Sequence, residues 1–513
     1  TRARNSCVCF VQAYKLKRDS DVNKKRQYQS FIYWHNGDMA GKLYCGFGNR
    51  TTWIFLTHSK KHRIITTRSW DDNKVNAFLA DLKHAPWSLV DSFDNVDNAF
   101  VTKLVVDGEE LSDKRDIANS LNEYFTTIAS SLLASHQSHE YLAAPQQEND
   151  PVISTNTFKF RVLNEDDVFN VLQTMDISKA TGADNISAKV LKTAAPYISK
   201  VVSNIFNACY QYGRFPSSWK TARVTPLFKG GSKTDRDNRR PISVLPCISK
   251  AQEMFANLDL QEFAAENNLI GDHQFAYARN SSTTAALIIT VDSWKFAIDK
   301  GEKVVCTFLD LRKAFDIIDH DILISKLSKS GVTGNELKWF TSYLHERKQY
   351  VSCEGVESQR RLITHGVPQG SVLGPTLFNI HINGIADACK DSEAALYADD
   401  TEIHASSKDI DVAEQRVNQD LENIVMWWNQ NGLISNHKKC EAMLIGSRYT
   451  VKNTRELQII LDGNPMKQSE YYKHLGVYID NCLTWNKHIT YIKSRVYPKL
   501  KLLNRISHFL SRN

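Results

Sequence analysis

A short apolar segment that ends at an acidic residue places the strongest constraint on how this chain folds. Residues 304–309 (Val-Val-Cys-Thr-Phe-Leu) are almost continuously apolar, and Asp310 follows them directly. Such a run is typical of a strand that is buried on both faces of a sheet. Downstream, residues 394–397 and 401–405 flank the sequence Ala-Asp-Asp at 398–400, which predicts a hairpin with two acids at its tip.

Carboxylates at the ends of apolar strands need a compensating charge. Burying an ionised carboxylate costs several kcal/mol unless a cation offsets it. Mg²⁺ prefers hard oxygen ligands, often one or two carboxylates together with substrate phosphates. If Asp310 faces Asp399, the two strands hold two such ions about 4 Å apart, which suits in-line displacement at a phosphate. An Asp-Asp pair is also common in ordinary turns, so the acids alone leave both interpretations open.

Length and composition narrow the class of protein. The 513 residues are enough for about three domains, and 42% hydrophobic with 24% charged residues exclude wholesale disorder. The longest apolar stretch, near residues 285–291, is too short to span a bilayer. The ten cysteines are scattered and fit neither a disulfide framework nor a zinc knuckle, which favours reduced thiols in an intracellular protein.

The distribution of charge says more than the modest net charge of +7. Residues 481–513 contain seven basic residues and no acidic one, and residues 24–26 read Lys-Lys-Arg. Such blocks favour a polyanion such as nucleic acid, although the solvated face of a helix is an equally simple explanation.

Apolar periodicity places the main helices, and polar composition places a linker. Residues 136–150 are predicted to be a linker. The spacing of apolar residues predicts helices over 113–133, 165–175, 198–212, 322–330, 336–345, 372–388 and 410–429.

Seven segments in a fixed order surround the acids. They are residues 179–186 (Lys-Ala-Thr-Gly-Ala-Asp-Asn-Ile), 240–245 (Arg-Pro-Ile-Ser-Val-Leu), 309–316 (Leu-Asp-Leu-Arg-Lys-Ala-Phe-Asp), 366–371 (Gly-Val-Pro-Gln-Gly-Ser), 397–400 (Tyr-Ala-Asp-Asp), 436–439 (Asn-His-Lys-Lys) and 474–480 (His-Leu-Gly-Val-Tyr-Ile-Asp). In this order they resemble the reverse transcriptases of non-LTR retrotransposons, the jockey-like group in particular, over about residues 158–500.

The resemblance implies an RNA-directed DNA polymerase that extends a DNA primer on an RNA template by two-metal-ion nucleotidyl transfer. It implies two Mg²⁺ ions, with Mn²⁺ as a substitute, and as partners an RNA template, a DNA primer or nicked target DNA, and dNTPs, without a membrane. The nucleus and cytoplasm are the expected locations.

Site residues follow from the same resemblance. The expected catalytic residues are Asp310, Asp399, Asp400 and Lys439, of which the three aspartates are metal ligands and the lysine protonates the leaving pyrophosphate; the adjacent Lys438 is the alternative. The expected nucleotide-binding residues are Lys229, Arg240, Phe315, Gln369 and Gly370, with Phe315 excluding a ribose 2′-hydroxyl. A primer grip is expected at His474, Leu475 and Gly476.

The implied fold is an α+β right hand. Its expected parts are fingers at 151–300, a palm with an antiparallel sheet at 301–480, and the basic start of a thumb at 481–513. Residues 1–150 are expected to be a remnant of the link between an endonuclease and the polymerase, so the chain is interpreted as a fragment that lacks the endonuclease. Arg239 and Cys440 depart from the family pattern, which has Tyr and Thr there, and the extra cation at Arg239 bears on the nucleotide contact.

Two alternatives stay open at this stage. The chain could be a catalytically inactive or co-opted nucleic-acid-binding remnant of such an element. It could also be a group II intron maturase or another cellular reverse transcriptase, which the segments at 179–186 and 240–245 make less favoured.

Overall fold

The structure is a computed structural model of the chain. It describes residues 101–136, 156–278 and 281–507, together with the backbone of four strands upstream. The linker predicted at residues 136–150 lies outside the described residues apart from its first position.

Helices and strands are numbered separately in chain order. The strands are β1 (Ser6–Val11), β2 (Ser30–His35), β3 (Ala40–Phe47), β4 (Arg50–Thr57), β5 (Leu104–Val106), β6 (Glu109–Leu111), β7 (Thr221–Phe228), β8 (Arg239–Val244), β9 (Lys303–Leu309), β10 (Arg347–Cys353), β11 (Val356–Glu357), β12 (Arg361–Ile363), β13 (Glu393–Tyr397), β14 (Asp400–Ser407), β15 (Glu441–Ile445), β16 (Ile460–Leu461), β17 (Asn464–Pro465), β18 (Lys467–Gln468), β19 (Tyr471–His474) and β20 (Val477–Asp480). The helices are α1 (Lys114–His136), α2 (Glu165–Thr174), α3 (Ala188–Gln211), α4 (Cys247–Glu266), α5 (Thr283–Asp299), α6 (His320–Lys329), α7 (Gly334–Leu344), α8 (Gly374–Ile382), α9 (Ile385–Ala388), α10 (Ile410–Gln430), α11 (Arg448–Asn453) and α12 (Asn486–Ser507).

The chain forms two compact units, one of which comprises residues 96–490. In the other, strands β1 to β4 form an antiparallel sheet in which each strand pairs with the next. This mixture of helices and sheets agrees with the predicted α+β class. Among the described residues, none of the helices combines the length and apolarity needed to cross a bilayer.

A five-stranded sheet in the order β13-β14-β9-β15-β18, called here the central sheet, carries the segment that most constrained the fold. Strand β9 lies at its middle and is antiparallel to both β14 and β15. Val305 of β9 points into the largest apolar core, whereas Cys306 and Phe308 enter a second core with Trp294 of α5. The prediction that this strand is buried on both faces is therefore confirmed.

A second sheet, β11-β10-β7-β8 with β12 paired to β10, is called here the lateral sheet. Its strands β7 and β10 are parallel although more than a hundred residues separate them in the sequence. Helix α1 packs on this sheet through Ile117 and Leu121, which share a small core with Val224 and Val351. The Asn122 amide also donates to the backbone carbonyl of Gln359 at 2.7 Å.

Most predicted helices are confirmed to within a few residues, including α1, α2, α6, α7 and α10. The prediction of one helix over 372–388 is wrong, because α8 and α9 are separated at Asn383 and Gly384. Gly384 has φ +97°, a left-handed conformation that glycine adopts at little cost and that ends the helical path. The helix predicted at 198–212 is the second half of α3, which begins ten residues earlier behind an N-cap at Ser187.

Candidate active site

The predicted hairpin with two acids at its tip is present and has a two-residue turn. Tyr397 pairs with Asp400 across β13 and β14, so only Ala398 and Asp399 form the turn. Ala398 has φ +56°, as a two-residue hairpin turn requires, and a non-glycine residue in this conformation is strained. Its N–H donates to Oε1 of Gln274 at 2.9 Å, which ties the strained turn to a neighbouring segment.

Strand register brings the third acid to this turn. Leu309 of β9 pairs with Thr401 of β14, so Asp310 lies next to Asp400 at the same edge of the central sheet. Loss of hydration and then the charges of Asp399 and Asp310 raise the pKa of Asp400 to about 6. Loss of hydration, followed by the charge of Asp310, also raises the pKa of Asp399. The three aspartates therefore form one electrostatic cluster, although the chain separates Asp310 from the pair by almost ninety residues.

Residues after helix α10 hold Asp310 in place. Its Oδ2 accepts a hydrogen bond from the Asn436 amide at 2.7 Å and lies 3.2 Å from Nζ of Lys439. The backbone N–H of Asn436 donates to the Asp310 carbonyl at 2.8 Å, and the buried thiol of Cys440 lies against the backbone of the same residue. Cys440 departs from the family pattern, which has Thr at this position. Its small thiol fits the space against the Asp310 backbone. Lys439, rather than Lys438, is the lysine that contacts Asp310.

The donor chemistry of the cluster suits a hard divalent cation, because its charged groups are carboxylate oxygens. Within the described part of the chain, however, no three His, Cys, Asp or Glu side chains converge closely enough to hold an ion. Oδ2 of Asp310 is instead occupied by Lys439 and Asn436. The residue types therefore fit the predicted Mg²⁺, and the Lys439 ammonium group stands where positive charge would be required.

Cations from the lateral sheet reach the same region. Lys313, Lys439 and Arg240 each lower the pKa of Lys229, after the larger effect of its lost hydration. Arg240 and Lys439 also act on Asp399 and oppose the rise in its pKa. The two predicted finger cations, Lys229 and Arg240, are thus brought together with Lys439 around the acids.

Arg239, which replaces the tyrosine of the family pattern, does not join these cations. It is 1% exposed, whereas the next residue, Arg240, is exposed. Successive residues of strand β8 point to opposite faces of the sheet, so the two arginines diverge. Arg239 donates to the backbone carbonyl of Lys233 and lies 5.7 Å from the ring of Phe228.

The segment with Gln369 and Gly370 docks on strand β8. The carbonyl of Gln369 accepts the N–H of Ser243 at 2.7 Å, while its side-chain amide donates to Asp316 at 2.7 Å. Gly370 has φ +113°, and an added Cβ would lie 2.6 Å from the Ser243 carbonyl oxygen. Only glycine fits this close approach.

Phe315 is partly buried. Its ring stacks on Phe378 with centroids 4.2 Å apart and an interplanar angle of 14°. One face is therefore fixed against helix α8 in the largest core. The ring is therefore held rigidly, which is compatible with the predicted role in sugar selection.

The predicted primer grip is a β-hairpin. Strands β19 and β20 pair around Leu475 and Gly476, which have φ +46° and +86°. His474 is 6% exposed and lies 5.2 Å from the Phe308 ring, so this residue anchors the hairpin to the central sheet. Tyr472 stacks on the same ring at 4.1 Å, and loss of hydration, followed by the charges of Asp400 and Asp310, raises the pKa of its phenol. The hairpin therefore lies next to the acids.

Four residues that the sequence analysis did not single out also contribute to the site: Gln274, Lys313, Asp316 and Asn436. Lys313 and Asp316 belong to the same segment as Asp310, and Asn436 begins the segment that contains Lys439, so their positions within motifs were a usable signal. The sequence gives no signal for Gln274, because its role depends on a contact with the backbone of Ala398 that is made only in the folded chain.

Comparison with known proteins agrees with this geometry. Residues 231–479 match the family model described as reverse transcriptase (RNA-dependent DNA polymerase). Residues 231–479, which include the hairpin with Asp399 and Asp400, are therefore similar to a reverse transcriptase domain.

Its relatives belong to mobile elements. The chain is 29% identical over 394 residues to the RNA-directed DNA polymerase from mobile element jockey of Drosophila melanogaster, a match that covers 75% of this chain and 41% of the relative. It is 28% identical over 406 residues to the probable RNA-directed DNA polymerase from transposon BS of the same fly, covering 76% and 43%. The chain is therefore similar to the reverse transcriptases of these mobile elements, and its match spans about two fifths of the length of the two relatives.

Proposed function

We propose that this chain is an RNA-directed DNA polymerase that extends a DNA primer on an RNA template. The observation that carries the proposal is the register of β9 and β14, which sets Asp310 beside Asp400 and next to the turn at Asp399. Three neighbouring carboxylates, of which Asp399 and Asp400 have raised pKa values, together with exposed cations, are typical of a site that handles metal ions and phosphates.

In this proposal the lateral sheet belongs to the fingers, the central sheet is the palm, and residues 481–513 begin a basic thumb. The substrates are dNTPs, and the partners are an RNA template and a DNA primer or nicked target DNA. The protein acts where element RNA meets chromosomal DNA, which places its reaction in the nucleus. The cytoplasm is its second proposed location.

Asp310, Asp399 and Asp400 would hold Mg²⁺, or Mn²⁺ in its place, and these ions when bound supply Lewis-acid activation of the primer 3′-hydroxyl and charge neutralisation at the phosphates. Lys439, whose Nζ lies 3.2 Å from Oδ2 of Asp310, would donate a proton to the departing pyrophosphate. Arg240 grips phosphate oxygens with its planar guanidinium group, and Lys229 adds a mobile positive charge.

Three further parts orient the substrates. Phe315, fixed against Phe378, excludes a ribose 2′-hydroxyl by steric conflict. Gln369 and Gly370 line the nucleotide side, where the missing side chain of Gly370 allows close backbone approach. The hairpin of His474, Leu475 and Gly476 holds the primer strand.

The test is primer extension on poly(rA)/oligo(dT) with dTTP and Mg²⁺. Wild-type protein incorporates dTMP, and Asp399→Asn loses at least about a hundredfold in kcat because a metal ligand is removed. Asp409→Asn is the matched control: Asp409 caps helix α10, where asparagine caps equally well, so activity is retained.

Two results would contradict the proposal. Unchanged incorporation by Asp399→Asn would exclude its role as a metal ligand. Salt-sensitive RNA binding by the wild type without any incorporation would instead identify an inactive nucleic-acid-binding remnant.

A further inference from the structure

An acidic residue of the loop between β7 and β8 joins two distant parts of the chain. Oδ1 of Asp237 accepts a hydrogen bond from the Tyr124 hydroxyl at 2.6 Å and lies 3.1 Å from Nζ of Lys313. Tyr124 belongs to helix α1, and Lys313 follows the catalytic Asp310 by three residues. One carboxylate therefore connects the N-terminal helix to the segment that carries a metal ligand.

The aromatic ring of Tyr124 reinforces this arrangement. The charged groups of Arg236 and Lys313 lie 5.1 and 5.3 Å from its centre, within the range of a cation–π interaction. The side chain of Lys313 is only 17% exposed, and lysine is seldom so covered unless it is paired. Ring and carboxylate together hold the ammonium group in one place.

Lys313 interacts electrostatically with other charged residues of the candidate site. Its charge acts on Lys229, alongside those of Lys439 and Arg240. It also acts with Arg240 and Lys229 on Asp316, which the Gln369 amide contacts at 2.7 Å. Lys229, Arg240, Lys313 and Lys439 thus act on one another or on the acids near them, and a group of cations of this kind suits a ligand with several phosphate charges.

We propose that Lys313 contacts the triphosphate of the incoming nucleotide, and that Tyr124 and Asp237 position its ammonium group for that contact. This inference rests on the proposed polymerase function and deepens it. It makes helix α1, which precedes the family-matched residues 231–479, a working part of the nucleotide site. Lysine suits the task because its flexible side chain carries a compact charge that turns from one anion to another.

The Tyr124 hydroxyl affects how tightly Asp237 binds Lys313. Its hydroxyl donates to the same oxygen of Asp237 that faces Lys313, so the carboxylate shares its charge between two donors. A shared carboxylate holds the ammonium group in register but releases it more readily when phosphate arrives. Without the hydroxyl, Asp237 binds Lys313 alone, and the lysine is less available to the nucleotide.

The experiment measures KM for dTTP and kcat in primer extension, and separately the binding of inorganic tripolyphosphate to the same proteins. The variants are Lys313→Ala, Lys313→Arg and Tyr124→Phe. Lys159→Ala is the matched control, since Lys159 also forms an ion pair at 3.1 Å, with Glu336 of helix α7.

Lys313→Ala is expected to raise KM for dTTP and to weaken tripolyphosphate binding by about tenfold each, the loss of one charge-assisted contact. Affinity for primer–template is unchanged, and Lys313→Arg recovers most of the loss. Tyr124→Phe, which keeps the ring, shifts both quantities in the same direction by a factor of about three. Lys159→Ala behaves as wild type.

Equal KM and equal tripolyphosphate affinity in Lys313→Ala and wild type would overturn the inference. A fall in kcat and melting temperature at constant KM would also overturn it, because that pattern marks a structural lysine. Wild-type behaviour of Tyr124→Phe would refute the positioning role. If wild-type protein incorporates no nucleotide, the proposed function fails, and tripolyphosphate binding still decides whether Lys313 contacts phosphate.

Discussion

A buried ion pair lies on the strand that carries Asp400. Nδ1 of His404 is 3.0 Å from Oε1 of Glu402, and its Nε2 is 3.3 Å from Oε2 of Glu393. The side chains of His404 and Glu402 are 7% and 0% exposed. All three residues belong to β13 and β14, so this pair supports the hairpin whose turn holds the acids.

The expected magnitude follows from the pKa of His404. Burial opposes its charge, but Glu402 and Glu393 outweigh burial and raise the pKa from 6.5 to about 9. A raised histidine pKa adds stability that is complete below pH 6.5 and is lost as the pH rises through about 9. The difference amounts to about 3 kcal/mol, at 1.36 kcal/mol for each pH unit.

Hydrogen–deuterium exchange of the peptide over 400–407 measures this effect. Wild type and His404→Gln are compared at equal pH, so that the intrinsic exchange rates cancel. At pH 6 the free energy of local opening is lower in the variant than in the wild type by about 3–5 kcal/mol, because Glu402 keeps a buried charge without its partner. At pH 9.5 this difference in opening free energy between wild type and His404→Gln is smaller by about 3 kcal/mol.

Two controls isolate the buried charge. The double variant Glu402→Gln/His404→Gln carries neither charge and recovers most of the loss. His345→Gln removes a histidine whose 3.9 Å contact with Asp321 is largely solvated, and it changes protection by less than about 1 kcal/mol. A gap between wild type and His404→Gln that is the same at pH 6 and pH 9.5 would refute the reasoning.

Two substitutions near the acids give further predictions. Phe315→Ala removes the ring that is stacked on Phe378. It is expected to lower the preference for dTTP over UTP, measured as the ratio of kcat/KM values, by about 10- to 100-fold. An unchanged ratio would show that the ring serves packing alone. Gly370→Ala places a Cβ 2.6 Å from the Ser243 carbonyl at positive φ, which lowers stability by about 1–3 kcal/mol and reduces activity. Gly301→Ala is its control in a urea melt, since its φ is also positive (+77°) but no atom lies within 4 Å, and an equal loss in both variants would assign the effect to backbone strain rather than to the clash.

Local patterns predicted the elements that carry the acids. The apolar run of β9, the hairpin of β13 and β14, and helix α10 were each recognisable from spacing, because burial imposes the period of the secondary structure on the sequence. The motif order predicted that Asp310, Asp399 and Asp400 share one site, and strand register sets Asp310 beside Asp400.

Other features were beyond sequence patterns because they depend on contacts between distant segments. Strands β7 and β10 pair in parallel across more than a hundred residues, and no local period reports such a pairing. The break between α8 and α9 arises at Gly384, although apolar residues continue on both sides of it.

Side-chain direction and partnership were decided by the tertiary structure alone. Adjacent arginines at 239 and 240 look equivalent in the sequence, yet the pleat of β8 buries the first and presents the second to the acids. The contact of Lys313 with Asp237 and Tyr124 joins three parts of the chain that share no motif. Amino-acid order determined which chemistry this protein carries, because the acids and their strands are local features. Folding determined which charges meet, because electrostatic contacts act through space rather than along the chain.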